Sequence, residues 1–281
     1  MNYRHHFHAG NFADMLKHGL VLSLLARLVR DARPLAVLDT HAGAGLYDLE
    51  GPEAQKSKEA AAGVGRLMSE ADIPAALDPL KAAVRRANPK GGLRFYPGSP
   101  RLMIEALRPG DRYVGCELRP DDQATLAADL SAFAGAKGPQ VEVCCADGYA
   151  TAASLTLKPG ARLFALIDPP FERPDDYLNA QEAAAALLAR QPDALIAIWI
   201  PIKDLETYDA FLRRLAARVD RPLLSAEARL RPLVDPMKLN GCAVVMLGVE
   251  ENAPEWPAEL EAICRWAAGT SPGARGRIIR A

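Results

Sequence analysis

No stretch of the 281 residues is apolar over enough length to cross a bilayer. Residues 1–12, MNYRHHFHAGNF, also lack the apolar core and small-residue cleavage site of a secretory signal. A cytoplasmic protein with no membrane partner is therefore expected. Cysteine is scarce: the five, Cys116, Cys144, Cys145, Cys242 and Cys264, are odd in number, and no pair has zinc-ligand spacing. That argues against a disulfide framework and for reduced, buried thiols. An excess of one charge is lacking too. Lys and Arg number 34 against 35 Asp and Glu, a formal net charge of −1. Contact with nucleic acid would have to rest on local basic patches.

What is present is a core. Hydrophobic residues make up 49% of the chain and charged ones 25%, the balance of a globular protein. A single domain over 1–281 is expected. Residues 13–31 carry Met15, Leu16, Leu20, Leu24, Leu25 and Leu28 at the spacing of an amphipathic helix, with Asn11 as its cap. Residues 35–39 form a short apolar run, as in a strand covered on both faces. Further strands are expected at 112–118, 141–147, 162–168 and 193–200, and helices at 121–133, 148–155, 177–190 and 205–218. This alternation argues for an α/β fold, a mostly parallel sheet with helices on both faces. Residues 224–233 and 242–249 read as a C-terminal antiparallel hairpin joined by a loop that contains a turn signal, Asn240-Gly241. Residues 46–88, Ala-rich and without a strand run, read as a small helical insertion.

The chemistry gathers at strand ends. Asp39-Thr40-His41-Ala42-Gly43-Ala44-Gly45 follows the first strand. It has neither the third glycine of a dinucleotide loop nor the Gly-Lys-Ser/Thr of a phosphate loop. Asp-x-x-x-Gly-x-Gly suits S-adenosylmethionine, which has no pyrophosphate to cradle. A plain strand-to-helix turn would give the same letters. Glu117 ends the second parallel strand, where a carboxylate can accept two ribose hydroxyls. Asp147-Gly148 ends the third, where an acid can meet an adenine amino group or simply cap the next helix. Ser99-Pro100 is fully explained as a cap followed by the first helical residue.

Asp168-Pro169-Pro170-Phe171 is the strongest signal. Two prolines ending an apolar strand give a rigid, exposed turn. They do not explain an acid just before and an aromatic just after. The exocyclic amine of adenine is a poor nucleophile because its lone pair is delocalised into the ring. Asp168 and the Pro169 carbonyl can accept its two hydrogens and favour a pyramidal nitrogen, while Phe171 stacks on the base. Asp168 can then take the proton, directly or through water. All five histidines, His5, His6, His8, His18 and His41, lie early. A metal site is disfavoured, because no Cys or acid completes a ligand spacing and His5 and His6 would point apart in an extended chain. With Tyr3, Arg4 and Phe7 they suit phosphate contact and base stacking, or form an ordinary terminus.

The opening Tyr3-Arg4-His5-His6-Phe7-His8-Ala9-Gly10-Asn11-Phe12-Ala13-Asp14-Met15-Leu16-Lys17-His18 resembles the start of the bacterial large-subunit rRNA adenine-N6-methyltransferases of the J type. Asp-Thr-His-Ala-Gly-Ala-Gly, Tyr-Pro-Gly-Ser-Pro, the Glu-Leu after the second strand and Asp-Pro-Pro-Phe occur in that family's order. The resemblance runs from Tyr3 to about Val249; the tail from Glu250 diverges and is assigned no role. It implies a Rossmann-like methyltransferase fold with a helical insertion and S-adenosylmethionine as donor. It also implies a target in protein-free or early-assembly 23S rRNA, adenine 2030. His18, His41, Ser99, Glu117, Asp147 and Gly148 match cofactor positions, and Lys17 beside them could meet the methionine carboxylate. Asp168 matches the catalytic acid and Arg4, beside Tyr3, a substrate-RNA contact. A monomer is favoured and no metal is expected. The competing readings are a DNA adenine-N6-methyltransferase and a non-catalytic nucleotide- or metal-binding α/β protein.

Overall fold

The structure is a computed structural model that describes residues 5–133, 138–249 and 256–280. Tyr3 and Arg4 lie outside them. A single 3₁₀ turn, His5–Phe7, leads into α1 (Phe12–Leu28) and β1 (Leu35–Asp39). There follow β2 (Leu46–Asp48), α2 (Pro52–Ser57), α3 (Val64–Ser69), α4 (Asp78–Ala87), β3 (Phe95–Pro97) and α5 (Ser99–Ala106). Alternation then takes over: β4 (Arg112–Cys116), α6 (Pro120–Leu130), β5 (Gln140–Cys144), α7 (Gly148–Ser154), β6 (Arg162–Ile167), α8 (Asp176–Arg190), β7 (Leu195–Ile202) and α9 (Leu205–Val219). The chain closes with β8 (Leu224–Arg229), β9 (Gly241–Leu247), α10 (Trp256–Ala268) and β10 (Arg275–Arg280).

Eight strands form one sheet in the order β10-β8-β9-β7-β6-β1-β4-β5. From β7 to β5 every pairing is parallel, and β9, β8 and β10 add antiparallel to the β7 side. The expected Rossmann-like α/β sheet with its antiparallel hairpin is thus present. Buried Leu, Val and Ile on alternate strand positions feed two cores. One holds α1, α5, α6 and α10 against the sheet, and the other holds α8 and α9. The chain leaves β1 toward β4 and β5 on one side and returns through β6 and β7 on the other. The C-terminal ends of β1 and β6 therefore flank the switch point where open α/β sheets leave a crevice.

Four expectations need correction. Residues 46–88 do contain a strand: β2 pairs antiparallel with β3, so the insertion is closed by a small second sheet. The strand was masked because it is only three residues long. The hairpin does not turn at Asn240-Gly241. Asn240 is fully buried at the foot of β9 and donates to Lys203 O at 2.9 Å and Asp235 O at 2.7 Å, and Gly241 begins the strand. The tail, assigned no role above, is structured from residue 256 to 280. It supplies α10 and the edge strand β10, and carries Arg277 into a buried ion pair with Glu227. Finally, α1 is more than amphipathic: 14 of its 17 residues are buried, charged ones included. It runs between the sheet, α10 and the insertion, so its polar residues must find partners indoors. They do so at the site.

Candidate functional site

Asn11 caps α1, its Oδ1 accepting Ala13 N at 2.9 Å and Asp14 N at 3.1 Å. Asp14, Lys17 and His18 then fall three and four residues apart on one helical face. The Lys17 ammonium lies 3.0 Å from Asp14 Oδ1 and 2.6 Å from Asp168 Oδ2. The lysine thus bridges the first helix to the Asp-Pro-Pro turn after β6, and it sits on Asp168. Burial opposes a charge on Asp14, yet His5 and Lys17 together hold its carboxyl well below the usual range. His5 Nε2 is 3.0 Å from the same carboxylate. The 3₁₀ turn packs both His5 and His6 against the Tyr47 ring, each at 5.1 Å, so the two do not point apart as an extended chain would have them.

His18 is buried, which lowers its pKa to about 3 and keeps it neutral. Burial holds Tyr96 well above the usual phenol range, so Tyr96 keeps its proton and donates it to His18 Nδ1 at 2.6 Å. The ring proton then sits on Nε2. That atom is buried, makes no hydrogen bond, and stands 3.9 Å from Asp14 Oδ1, beyond bonding reach. An orphaned donor on a cavity wall fits a ligand acceptor. His41 is likewise kept neutral by burial, its pKa lowered to about 4. Its Nδ1 is 2.8 Å from Thr40 Oγ1, and its ring meets Tyr149 edge-on at 5.0 Å.

The glycine loop wraps around Glu117. One oxygen accepts Gly43 N at 3.0 Å and the other Arg119 N at 2.8 Å, while burial raises its pKa. Glu117 is therefore no solvated strand-end acid. Gly43 has φ +65°, a conformation that a side chain would strain. Asp147 takes the capping role, accepting Tyr149 N at 2.8 Å and Ala150 N at 3.1 Å at the start of α7. A Cβ on Gly148 would lie 2.0 Å from Thr40 O, so only glycine lets α7 approach β1 this closely. Ser99 is not the cap of α5; Gly98 is. Ser99 turns inward instead and donates to Asp39 Oδ2 at 2.8 Å, with Tyr113 adding a bond at 3.2 Å.

Burial pushes the Asp39 carboxyl up to about 7. A raised folded pKa means that its contribution to stability is full below the unfolded value near 4 and is lost as pH rises through 7. Asp39→Asn carries no such charge. Relative to wild type, the variant is expected to gain on the order of 2–4 kcal/mol between pH 4 and pH 8. Urea unfolding at the two pH values checks this, and a stability difference that does not move with pH would refute it.

The Asp-Pro-Pro turn is recessed rather than exposed. Pro169 is buried, and Phe171, 9% exposed, packs on Tyr177 at 4.6 Å and on Trp199 at 5.8 Å. Phe171 adopts φ +49°, a strained conformation for a non-glycine residue that is found where a site demands it. The predicted residues inside the described part, Lys17, His18, His41, Ser99, Glu117, Asp147, Gly148, Asp168 and Phe171, all line one cavity of about 420 Å³. That size is ordinary for a small-molecule site. The sequence reading missed Asp14, Tyr96 and Trp199, which also shape this region. Only Asp14 had a signal, its helical spacing to Lys17 and His18. Among the described residues, no group of three His, Cys, Asp or Glu is placed to hold a metal, and no helix is long and apolar enough to cross a membrane.

Comparison with known proteins agrees with this geometry. A family model described as ribosomal RNA large subunit methyltransferase D, RlmJ, matches residues 32–276. The match extends past the point where the resemblance read from sequence stopped. Ribosomal RNA large subunit methyltransferase J of Escherichia coli is 31% identical over 261 residues, covering 93% of this chain and 90% of its own. That of Haemophilus influenzae is 32% identical over 263 residues, with the same coverage. Among solved structures, protein LPL1258 of Legionella pneumophila superposes with a TM-score of 0.83 at 26% identity, covering 96% of this chain and 97% of its own. The chain belongs to the RlmJ family of ribosomal RNA large-subunit methyltransferases, enzymes that take their methyl group from S-adenosylmethionine.

Proposed function

We propose that this protein methylates the N6 amino group of an adenine in 23S rRNA, adenine 2030 by family resemblance, acting on protein-free or early-assembly rRNA. The observation that carries the reading is the position of Asp168. It stands at the crevice edge after β6, in the cavity that also holds the glycine loop and Glu117. Bound there, S-adenosylmethionine supplies a sulfonium-activated methyl group. His18 Nε2–H, His41, Ser99, Glu117, Asp147 and the open approach at Gly148 are the groups that would hold it. Glu117 would accept the ribose hydroxyls and Asp147 the adenine amine, each through lone pairs beyond those bonded to backbone N–H.

The chain's own residues then handle the target base. Lys17 occupies Asp168 Oδ2, which leaves Oδ1 and the Pro169 carbonyl to accept the two N6 hydrogens. That arrangement draws the nitrogen lone pair out of conjugation. Asp168 accepts the proton that N6 loses. Phe171, braced by Trp199 and Tyr177, offers a ring face to the base. Lys17, clamped between two carboxylates, acts as a positioning residue for Asp168 and not as a partner of the methionine carboxylate. Tyr3 and Arg4 directly precede the turn His5–Phe7, whose His5 and His6 line the cavity, and they are assigned to the RNA.

Incubation with labelled S-adenosylmethionine and protein-free 23S rRNA, followed by nucleoside analysis, should give N6-methyladenosine at one site. Label entering duplex DNA instead, or no label at all, would reject the reading. Glu117→Ala is expected to weaken S-adenosylmethionine binding by roughly 1.5–3 kcal/mol, the scale of lost charge-assisted hydrogen bonds. Calorimetry showing unchanged affinity would place the ribose elsewhere.

A further inference from the structure

The loop between β8 and β9, residues 230–240, packs Leu233 on the core but carries two further apolar side chains that belong to neither core. Val234 and Met237 are 84% and 88% exposed, the highest values for large apolar residues among the described residues. A lone exposed apolar side chain is ordinary. Two on one loop, one of them lining a cavity, call for a reason. The loop is not slack. Asn240 ties its foot to Lys203 O and Asp235 O, and Met237 N donates to Asp235 Oδ1 at 3.0 Å. Pro232 and Pro236 fix two of its φ angles. A Cβ on Gly273 would lie 2.6 Å from Pro232, so the chain leading to β10 packs tightly against the loop's base. The tips are therefore held outward by construction.

Their surroundings say what they meet. Met237 and Leu239 line the same cavity as Asp168, and so do two exposed cations, Lys203 and Arg173, the latter paired with Asp175. Arg231 and Lys238, both exposed, flank the tips on the loop itself, with Asp235 between them paired to Lys238 at 3.3 Å. An apolar tip within a cationic rim matches a nucleic acid strand: the cations face phosphates and the tip faces bases. An adenine must leave its stack to reach Asp168, at a cost of a few kcal/mol. A side chain that fills the gap offsets part of that cost. Methionine, unbranched and polarisable, adapts to a gap of irregular shape.

We propose that Val234 and Met237 form a wedge that enters the base stack of the substrate RNA beside the target adenine and holds that adenine out. This rests on the adenine-methylation reading above. Two RNAs test it, a 23S hairpin with the target adenine stacked and a short unstructured strand of the same local sequence. Val234→Ser/Met237→Ser should lower kcat/KM on the hairpin by roughly tenfold or more. The loss on the unstructured strand should be several-fold smaller. With 2-aminopurine at the target position of the hairpin, wild type should raise fluorescence and the double variant should not. Met237→Leu should restore most of the signal in the Val234 background. Thermal unfolding establishes that the double variant is folded, and Met237→Ser alone serves if it is not. Equal losses on the two RNAs, or a wild-type fluorescence rise in the variant, would overturn the wedge. So would a change of oligomeric mass in the variant with both RNA readouts intact, because the tips would then seat a second copy. If wild type methylates neither RNA, the adenine reading itself fails and the wedge falls with it.

Discussion

Asp168→Ala is expected to lower the methyl-transfer rate by roughly 10²–10⁴, the range for losing a proton acceptor and its positioning bond together. S-adenosylmethionine affinity should stay within a few-fold. The separation follows from geometry. The cofactor groups proposed above hang on the glycine loop, α1, α5 and the starts of α6 and α7, whereas Asp168 follows β6 and is proposed to face the base. Asp168→Ala also leaves the buried Lys17 with Asp14 as its one remaining carboxylate contact of the two. Asp168→Asn is the sharper experiment, because it keeps an acceptor oxygen and loses the charge. Partial activity in Asn would assign the residue to positioning N6, and none would assign it to taking the proton. Single-turnover rates with saturating RNA and cofactor are the measurement. An Ala variant within a few-fold of wild type would remove Asp168 from the chemistry.

The second large effect concerns stability. Glu227 on β8 is fully buried, with Arg277 of β10 at 3.1 and 3.3 Å through two nitrogens. Arg229 Nε forms a close ion pair with the other carboxylate oxygen, off hydrogen-bond geometry. Glu227→Ala strands two guanidiniums, one 12% and one 30% exposed. Breaking a buried network from one side costs about 3–5 kcal/mol. Urea unfolding should show that loss with an unchanged m-value. A change below about 1 kcal/mol would mean that the arginines swing to solvent freely. Glu227→Gln, which keeps the shape and drops the charge, should fall between the two. Arg277 of the C-terminal tail therefore bears on edge-strand stability, turned to a carboxylate of β8.

How much of this was legible beforehand depended on whether the signal was local. The parallel core was readable because residues 35–39 and 162–167 are continuous apolar runs ending in chemistry-bearing loops. Asp168, Glu117 and the glycine loop were readable because strand ends put them on one edge. The cap read for Ser99 belongs to Gly98, because Ser-Pro is a complete local explanation and only the fold brings Asp39 within reach of the Ser99 hydroxyl. The contact of Lys17 with Asp168 was not legible, because no sequence spacing reveals a contact across 151 positions. The β2–β3 pair and β10 were hidden for opposite reasons. The first pair is too short to show alternation, and the second is an Arg-rich edge strand whose apolar content is two isoleucines.

The burial of α1 bears on the order in which the chain acquires structure during synthesis. Ser23, near the middle of that helix, donates to Glu259 and accepts from the Trp256 indole, contacts spanning 236 and 233 positions. Leu20, Leu24 and the rest of its apolar face belong to the same core as Leu260 and Ile263. A helix apolar on nearly every side cannot remain alone in water, and pairings this distant are made late and slowly. While translation is under way, the segment bearing Asp14, Lys17 and His18 has left the ribosome but lacks one wall of its housing until α10 emerges. The segment around Lys17 must therefore be guarded until α10 has been made and can pack against α1.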